Sequence, residues 1–263
     1  MPARDMEGKA AVVCASSRGL GRASARAIAL RGAKVAICAR RGGDAAEAAR
    51  AIAEEAGVET WPCAADVSTA EGVRAFIQGA GERFGGIDVL VCNAGGPPAG
   101  GFEQFSDADW ERAVQLTLMS AVRQVREALP FMKGRGYGRI VFICSSSARE
   151  MLDSMVLSNV LRPAVVGLSK SLSRELASER ILVNVAAPGT ILTDRVMQTR
   201  RARAEREGVP VEKLLQEVAE GIPLNRIGDP AEFGALVAFL ASPEASYITG
   251  TVLLADGGRV RGY

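Results

Sequence analysis

Two side chains four residues apart, the hydroxyl of Ser158 and the guanidinium of Arg162, share one face if their segment is helical. Ser145 stands thirteen positions before Ser158 and adds a second hydroxyl. Hydroxyls can donate to a carbonyl oxygen, and a guanidinium can hold an oxyanion or a diol. Neither group moves a proton readily near neutral pH, because an alcohol is a far weaker acid than a phenol and Arg stays charged. The chain contains no His, which removes imidazole triads, His-ligated metal sites and the commonest general acid/base. Its five cysteines, Cys14, Cys38, Cys63, Cys92 and Cys144, lie in or beside apolar runs without CxxC spacing. They read as buried, reduced thiols, and no metal site is expected.

A second chemical feature is the turn Cys14-Ala15-Ser16-Ser17-Arg18-Gly19-Leu20-Gly21, set between an apolar run and an Ala-rich stretch. Where a strand turns into a helix in this way, backbone N–H groups and the positive end of the helix dipole can meet a phosphate. Taken alone, a GxG turn is equally a plain turn.

Short apolar runs alternate with Ala-rich stretches along all 263 residues, the pattern of βαβ units around a parallel sheet. Strands are predicted at Ala10–Ala15, Lys34–Ala39, Glu59–Ala64, Val89–Asn93, Arg139–Ser145, Leu182–Ala187 and Thr251–Ala255. The expected fold is α/β, a Rossmann-type doubly wound seven-stranded parallel sheet flanked by helices, and residues 1–263 read as a single domain. Helical stripes such as Val73, Phe76, Ile77 and Phe84, or Val165, Leu168, Leu172 and Leu176, are core faces. The polar stretch 190–226 falls after the sixth strand, where loops cover the ligand crevice of such sheets, and is the expected substrate lid. A net charge of +2 argues against nucleic acid as a partner. No apolar run reaches membrane-spanning length and the N-terminus has no signal-like segment, so a soluble cytoplasmic protein without membrane association is expected.

Three segments, GRIVFICS (138–145), SNVLRPAVVGLSKSLSREL (158–176) and VNVAAPG (183–189), resemble without a gap the core of the short-chain dehydrogenase/reductase family, in the manner of its β-ketoacyl carrier reductases. That resemblance puts the family's catalytic Ser on Ser145, its Tyr on Ser158 and its Lys on Arg162, so the Tyr/Lys pair is absent. Aligned through Trp110, WERAVQLTLMSAV puts Thr117 where the family's relay Asn falls. The turn Ser16, Ser17, Arg18, Gly19, Leu20, Gly21 matches TGxxxGxG with Ala15 in place of the first Gly. If the turn needs a positive φ there, a Cβ opposes it. The resemblance further implies cofactor contacts from Asp66 and Val67, from Asn93, Ala94 and Gly95, and from Pro188, Gly189, Ile191 and Thr193, with Arg162 on the ribose. Asp66 could equally be a helix cap or turn residue, and Gly95 a turn glycine.

The second strand ends Ala39-Arg40-Arg41, with no carboxylate for a ribose 2′-OH and with cations for a 2′-phosphate. Arg40 therefore points to NADP(H) as cofactor, the alternative being that both arginines are solvated loop charges. Ser158 has two readings. It can take part in catalysis, or it can be a helix N-cap, as Asn159 and a nearby Pro163 would suit a helix just beginning. Arg162 can act on an oxyanion or form a structural ion pair. Tyr137, Tyr247 and Tyr263 fall away from these segments. The implied function is an oxidoreductase using NADP(H) on a small carbonyl or hydroxyl substrate, possibly of 3-oxoacyl type. Alternatives are non-redox chemistry on the same scaffold and a silent NADP(H)-binding sensor or scaffold. Arg195, Arg200, Arg201, Arg203 and Arg206 in the lid suit an anionic substrate or an acyl thioester, or form a solvated helix face. By resemblance the chain forms a homotetramer or dimer.

Overall fold

The computed structural model describes residues 4–262; Tyr263 lies outside them. Seven strands, β1 (Ala10–Val13), β2 (Lys34–Ala39), β3 (Thr60–Ala64), β4 (Val89–Cys92), β5 (Gly138–Ile143), β6 (Ile181–Pro188) and β7 (Val252–Ala255), form one sheet in the order β3-β2-β1-β4-β5-β6-β7. Every neighbouring pair is parallel. The crossovers are helical: α1 (Gly19–Leu30), α2 (Gly42–Ala56), α3 (Ala70–Phe84), α4 (Asp107–Val114), α5 (Ser120–Met132), α6 (Val156–Glu175), α7 (Asp194–Glu207), α8 (Val211–Glu220) and α9 (Pro230–Ala241).

Because both sheet faces are covered, the central strands are apolar throughout, and two cores form. On one face Val73, Phe76 and Ile77 of α3, Val125 and Ala128 of α5 and Val165 of α6 pack on Leu90, Ile140 and Val183. On the other, Ile28, Ile52, Phe233 and Val237 from α1, α2 and α9 pack on Val35, Ile37 and Val91. Chain order reverses direction between β1 and β4, so a crevice opens beyond the carboxyl ends of these two strands.

Two local features depart from the expectation. The helix α6 starts at Val156 with Met155 at its N-cap, so Ser158 is its third residue and no cap, and Pro163 lies in the interior. Proline is tolerated there because α6 is anchored by tertiary packing of Leu157, Leu161 and Val165. Upstream, Asn159 clasps the chain, its amide donating to the Leu152 carbonyl (2.8 Å) and its oxygen accepting from the Leu152 N–H (3.1 Å). Between α4 and α5 the segment Gln115–Met119 is π-helical, an insertion in the ladder that hydrophobic periodicity does not reveal. The polar stretch 190–226 carries α7 and α8. Among the described residues, no helix is long and apolar enough to cross a membrane.

Candidate active site

A cleft of about 1860 Å³ lies at the crevice and runs from the end of β2, past the turn after β1, to the end of β5 and the start of α7. One part of it is the turn into α1. Helix α1 has no side-chain cap and no acidic residue in its first turn, so its N–H groups and dipole are left for an anion. Ser17, Arg18, Gly19, Leu20 and Gly21 line the cleft. Ser16 does not. Its hydroxyl donates to the Val13 carbonyl (2.6 Å) and its N–H to the Cys38 carbonyl (3.0 Å), so both polar groups serve the turn itself. Ala15 adopts φ +47, the left-handed conformation that a Cβ resists. Asn93 holds that strained corner by donating to the carbonyls of Cys14 (3.2 Å) and Ala15 (3.1 Å). At Gly21 a Cβ would stand 2.5 Å from the Ala15 carbonyl oxygen and 2.8 Å from the Asn93 amide, so only glycine fits.

At the end beside β2 and β3, Arg40, Asp66, Val67, Asn93, Ala94 and Gly95 all line the cleft. Asp66 has the turn role as well, its Oδ1 accepting from the N–H (2.9 Å) and hydroxyl (2.7 Å) of Ser68 ahead of α3. Burial opposes its ionisation, but these hydrogen bonds and the positive Arg40 outweigh it and hold the carboxyl below its usual range. Arg41 is turned to Asp44, 2.8 Å away, in an exposed pair. Val114 and Leu116, which the sequence reading did not single out, add apolar lining. Gly189, Ile191 and Thr193 line the middle, and the Thr193 side chain also accepts from the Val196 N–H at the start of α7. Pro188 is buried at the end of β6 and does not line the cleft.

The far end is built from β5 and α6. Ile143, Cys144 and Arg162 form its wall. Ser145, Ser158 and Thr117 are not among the residues that line it. Ser145 caps a short turn by accepting from the Ser147 N–H (3.1 Å), and the buried hydroxyls of Ser147 and Ser158 bond to each other at 2.9 Å. Thr117 is buried in the π-helical segment with its hydroxyl unpartnered. Arg162 donates from Nη1 to the Ile143 carbonyl (3.2 Å), while its buried Nε has no partner. The Cys144 thiol donates to the Arg162 carbonyl (3.6 Å). The start of α7 meets the loop after β4 where Arg195 donates to the carbonyls of Gly96 (3.3 Å) and Pro97 (3.4 Å). The Tyr137 hydroxyl is engaged with the Ala241 carbonyl (2.6 Å), and Tyr247 is fully exposed. Four cysteines are buried and Cys63 is half-buried; all are free. No cluster of His, Cys, Asp or Glu among the described residues could hold a metal ion.

The family described as Enoyl-(Acyl carrier protein) reductase matches residues 14–259. D-beta-hydroxybutyrate dehydrogenase of Cupriavidus necator is 34% identical over 97% of this chain and 99% of its own length. The 3-oxoacyl-(acyl-carrier-protein) reductase FabG of Vibrio cholerae is likewise 34% identical, over 97% of this chain and 98% of its own. The chain belongs to the short-chain dehydrogenase/reductase family. Its fold is shared with a solved family member, L-sorbose reductase of Gluconobacter frateurii in complex with NADPH and L-sorbose, at a TM-score of 0.95 and 35% identity, covering 99% of each chain. The relatives named here are oxidoreductases, and the crevice described above is the place where a short-chain dehydrogenase/reductase sheet presents its ligand site.

Proposed function

We propose that this short-chain dehydrogenase/reductase is an NADP(H)-dependent oxidoreductase of a small carbonyl or hydroxyl compound, with 3-oxoacyl compounds as the leading class and an atypical reacting end. The observation that carries the cofactor choice is Arg40, which lines the cleft where β2 runs out as Ala39-Arg40-Arg41, while the Asp44 carboxylate at this end is engaged by Arg41. The residues present fit a dinucleotide. The uncapped start of α1 and the cradle at Gly21 suit the pyrophosphate, Asp66 and Val67 the adenine, and Thr193 and Ile191 the carboxamide. Bound there, the nicotinamide would supply or accept a hydride. Arg162 would hold ribose hydroxyls and the charge developing on the reacting oxygen. The segment 190–226 would close over the substrate, within one unit formed by the whole chain.

Ser158 and Arg162 stand, in this reading, where the family carries Tyr and Lys. No Tyr, Lys or His is among the cleft-lining residues, and this favours a second reading, a cofactor-binding scaffold without turnover. A homotetramer or dimer rests on kinship, and the five free thiols suit a reducing cytoplasm. The test is calorimetry with NADPH and NADH followed by nicotinamide absorbance on a panel of 3-oxoacyl thioesters, 3-oxo acids and ketoses. NADPH is expected to bind at least about tenfold tighter, a gap of about 1.4 kcal/mol. Equal affinities would refute the cofactor choice. Tight NADPH binding without turnover on any of the panel would favour the scaffold.

A further inference from the structure

We propose that the substrate of this site is a free oxo acid, or the hydroxy acid it is reduced to, and that Arg195 is the specificity residue that takes its carboxylate. This deepens the oxidoreductase reading above and rests on it. The polar stretch 190–226 is rich in arginine, and the fold sorts these residues. Arg195, in the first turn of α7, lines the cleft, whereas Arg200, Arg201, Arg203, Arg206 and Arg226 do not. Arg203 and Arg206 pair with Glu207 at 2.8 and 3.6 Å, and Arg226 pairs with Glu232 at 2.6 Å.

The Arg195 guanidinium is held by main-chain carbonyls. Nη1 donates to Gly96 at 3.3 Å and Nη2 to Pro97 at 3.4 Å, and among the described residues no carboxylate pairs with it. Both bonds are longer than the usual N–H···O bond of about 2.7–3.2 Å, so they are readily exchanged for a charge-assisted pair, and the other N–H groups of the fork stay free. A Cβ on Gly96 would stand 3.2 Å from Nη1, so glycine there lets the guanidinium lie against the loop. That loop leaves β4, whose neighbour is β5, and at the end of β5 Arg162 donates to the Ile143 carbonyl, also without a carboxylate partner. Two uncompensated cations therefore border the part of the cleft between the loop after β4 and the end of β5.

Arg162 suits the reacting oxygen, and Arg195 a second anionic group on the same small molecule. A neutral ketone or ketose leaves the Arg195 charge without a counter-charge. A thioester on a phosphopantetheine arm separates its phosphate from the reacting carbonyl by the whole length of the arm, whereas an oxo acid carries both groups within a few bonds. The carboxylates that line the cleft do not oppose this. Asp44 is paired with Arg41, Asp66 is bonded to Ser68, Glu111 stands on α4, and Asp194 also borders a smaller hollow together with Arg22 and Arg26.

The test uses the complex with NADP⁺, which cannot reduce an oxo compound, so that binding is read without turnover. Calorimetry compares pyruvate, acetoacetate and levulinate, whose carboxylates stand progressively further from the carbonyl, each with its methyl ester, and adds acetoacetyl-coenzyme A as the phosphate-bearing counterpart. Wild type is expected to bind one of the acids at least about tenfold tighter than its ester. Arg195→Gln should weaken that acid about tenfold or more, while the ester and NADP⁺ change by less than about twofold. Arg195→Lys should restore part of the loss, because it keeps the charge without the fork. Arg201→Gln removes the same charge from the same helix away from the cleft and should change neither. No preference for any acid over its ester, or unchanged acid binding in Arg195→Gln, overturns the proposal. So does an equal loss of acid, ester and NADP⁺, which would make Arg195 a latch between α7 and the loop after β4. A loss confined to acetoacetyl-coenzyme A overturns it too, by putting a carrier phosphate on Arg195. All of these leave the cofactor reading standing, whereas failure of wild type to bind NADP⁺ overturns both.

Discussion

From Ala15 to Gly21 the cleft offers main-chain N–H groups steadied by Asn93, whereas at the end of β5 its charged residue is Arg162, with the nearby hydroxyls of Ser147 and Ser158 turned to one another. Anion binding by backbone depends on the path of the chain and on the absence of Cβ atoms at a few points. Proton transfer depends on which side chain stands at one point. The first end can therefore tolerate Ala15 and still keep its shape, while at the second a single substitution changes what chemistry is possible.

The sharpest way to break the contrast is Gly21→Ala. The added Cβ would meet the Ala15 oxygen, the Asn93 amide and the Ser16 Cα, all inside 3.0 Å, and two of these are backbone atoms that cannot swing aside. Overpacking of this kind costs about 1–3 kcal/mol, so NADPH affinity measured by calorimetry should fall by about 10–100-fold. Gly43→Ala in α2 is the control, because nothing lies within 4 Å of its added Cβ. It should leave affinity unchanged and favour the helix by at most about 1 kcal/mol. A Gly21→Ala protein that binds as wild type does would mean that the backbone path is not what holds the cofactor.

Ser158→Ala probes the other end. Ser158 is buried, and its loss strips the buried Ser147 hydroxyl of its hydrogen bond, which should cost about 1–3 kcal/mol in denaturant unfolding. With the Ser158 hydroxyl held by Ser147 and away from the cleft wall, turnover should stay within about threefold of wild type. A loss of turnover beyond about tenfold with unmoved stability would give Ser158 the acid role.

These two sites were unequally legible. The seven strands could be read to within one or two residues, since doubly covered strands are continuous apolar runs bounded by turns. The glycine turn and Arg40 follow from where the apolar runs end, Asp66 and Asn93 only from the family resemblance, and all of them line the cleft. The reacting end was not legible. Pro163 suggests a helix just starting, yet α6 had begun seven residues earlier, and only tertiary packing makes that acceptable. A hydroxyl pair such as Ser147 and Ser158 depends on how a turn meets a helix, which carries no period. Cys144 reads as one more small apolar residue, and its thiol is indeed buried and turned to the Arg162 carbonyl. The inward turn of Ser16 is hidden as that hydroxyl pair is.

Arg40→Ala sharpens the account of the adenosine-facing end. Removing the one cation that lines the cleft beside Asp66 without a carboxylate partner at hydrogen-bond distance should weaken NADPH about tenfold, about 1.4 kcal/mol, and leave NADH nearly unaffected. Arg41→Ala, whose guanidinium is already turned to Asp44, should change the preference by less than about threefold. If Arg41→Ala proves the more damaging of the two, the 2′-phosphate sits one residue further along than proposed.

The smallest effect expected, and the one that tests whether backbone shape alone governs the phosphate end, is Ala15→Gly. At φ +47 an alanine carries about 1–2 kcal/mol of left-handed strain, which glycine would relieve. Glycine also frees the unfolded chain, offsetting about 0.4–1 kcal/mol of that relief, so the net gain should be about 0.5–1 kcal/mol. In a chain of this size that raises Tm by about 1–4 °C. Arg180→Gly, at φ +56 and away from the cleft, should give a similar gain. What separates the two is cofactor affinity. Ala15 lines the cleft and shares its carbonyl with Asn93, so relaxing it should leave NADPH binding equal or tighten it slightly, whereas Arg180→Gly should not move it. A destabilised Ala15→Gly protein would show that the corner is held by contacts of the Ala15 methyl group, and the phosphate end would then depend on side chains as the reacting end does.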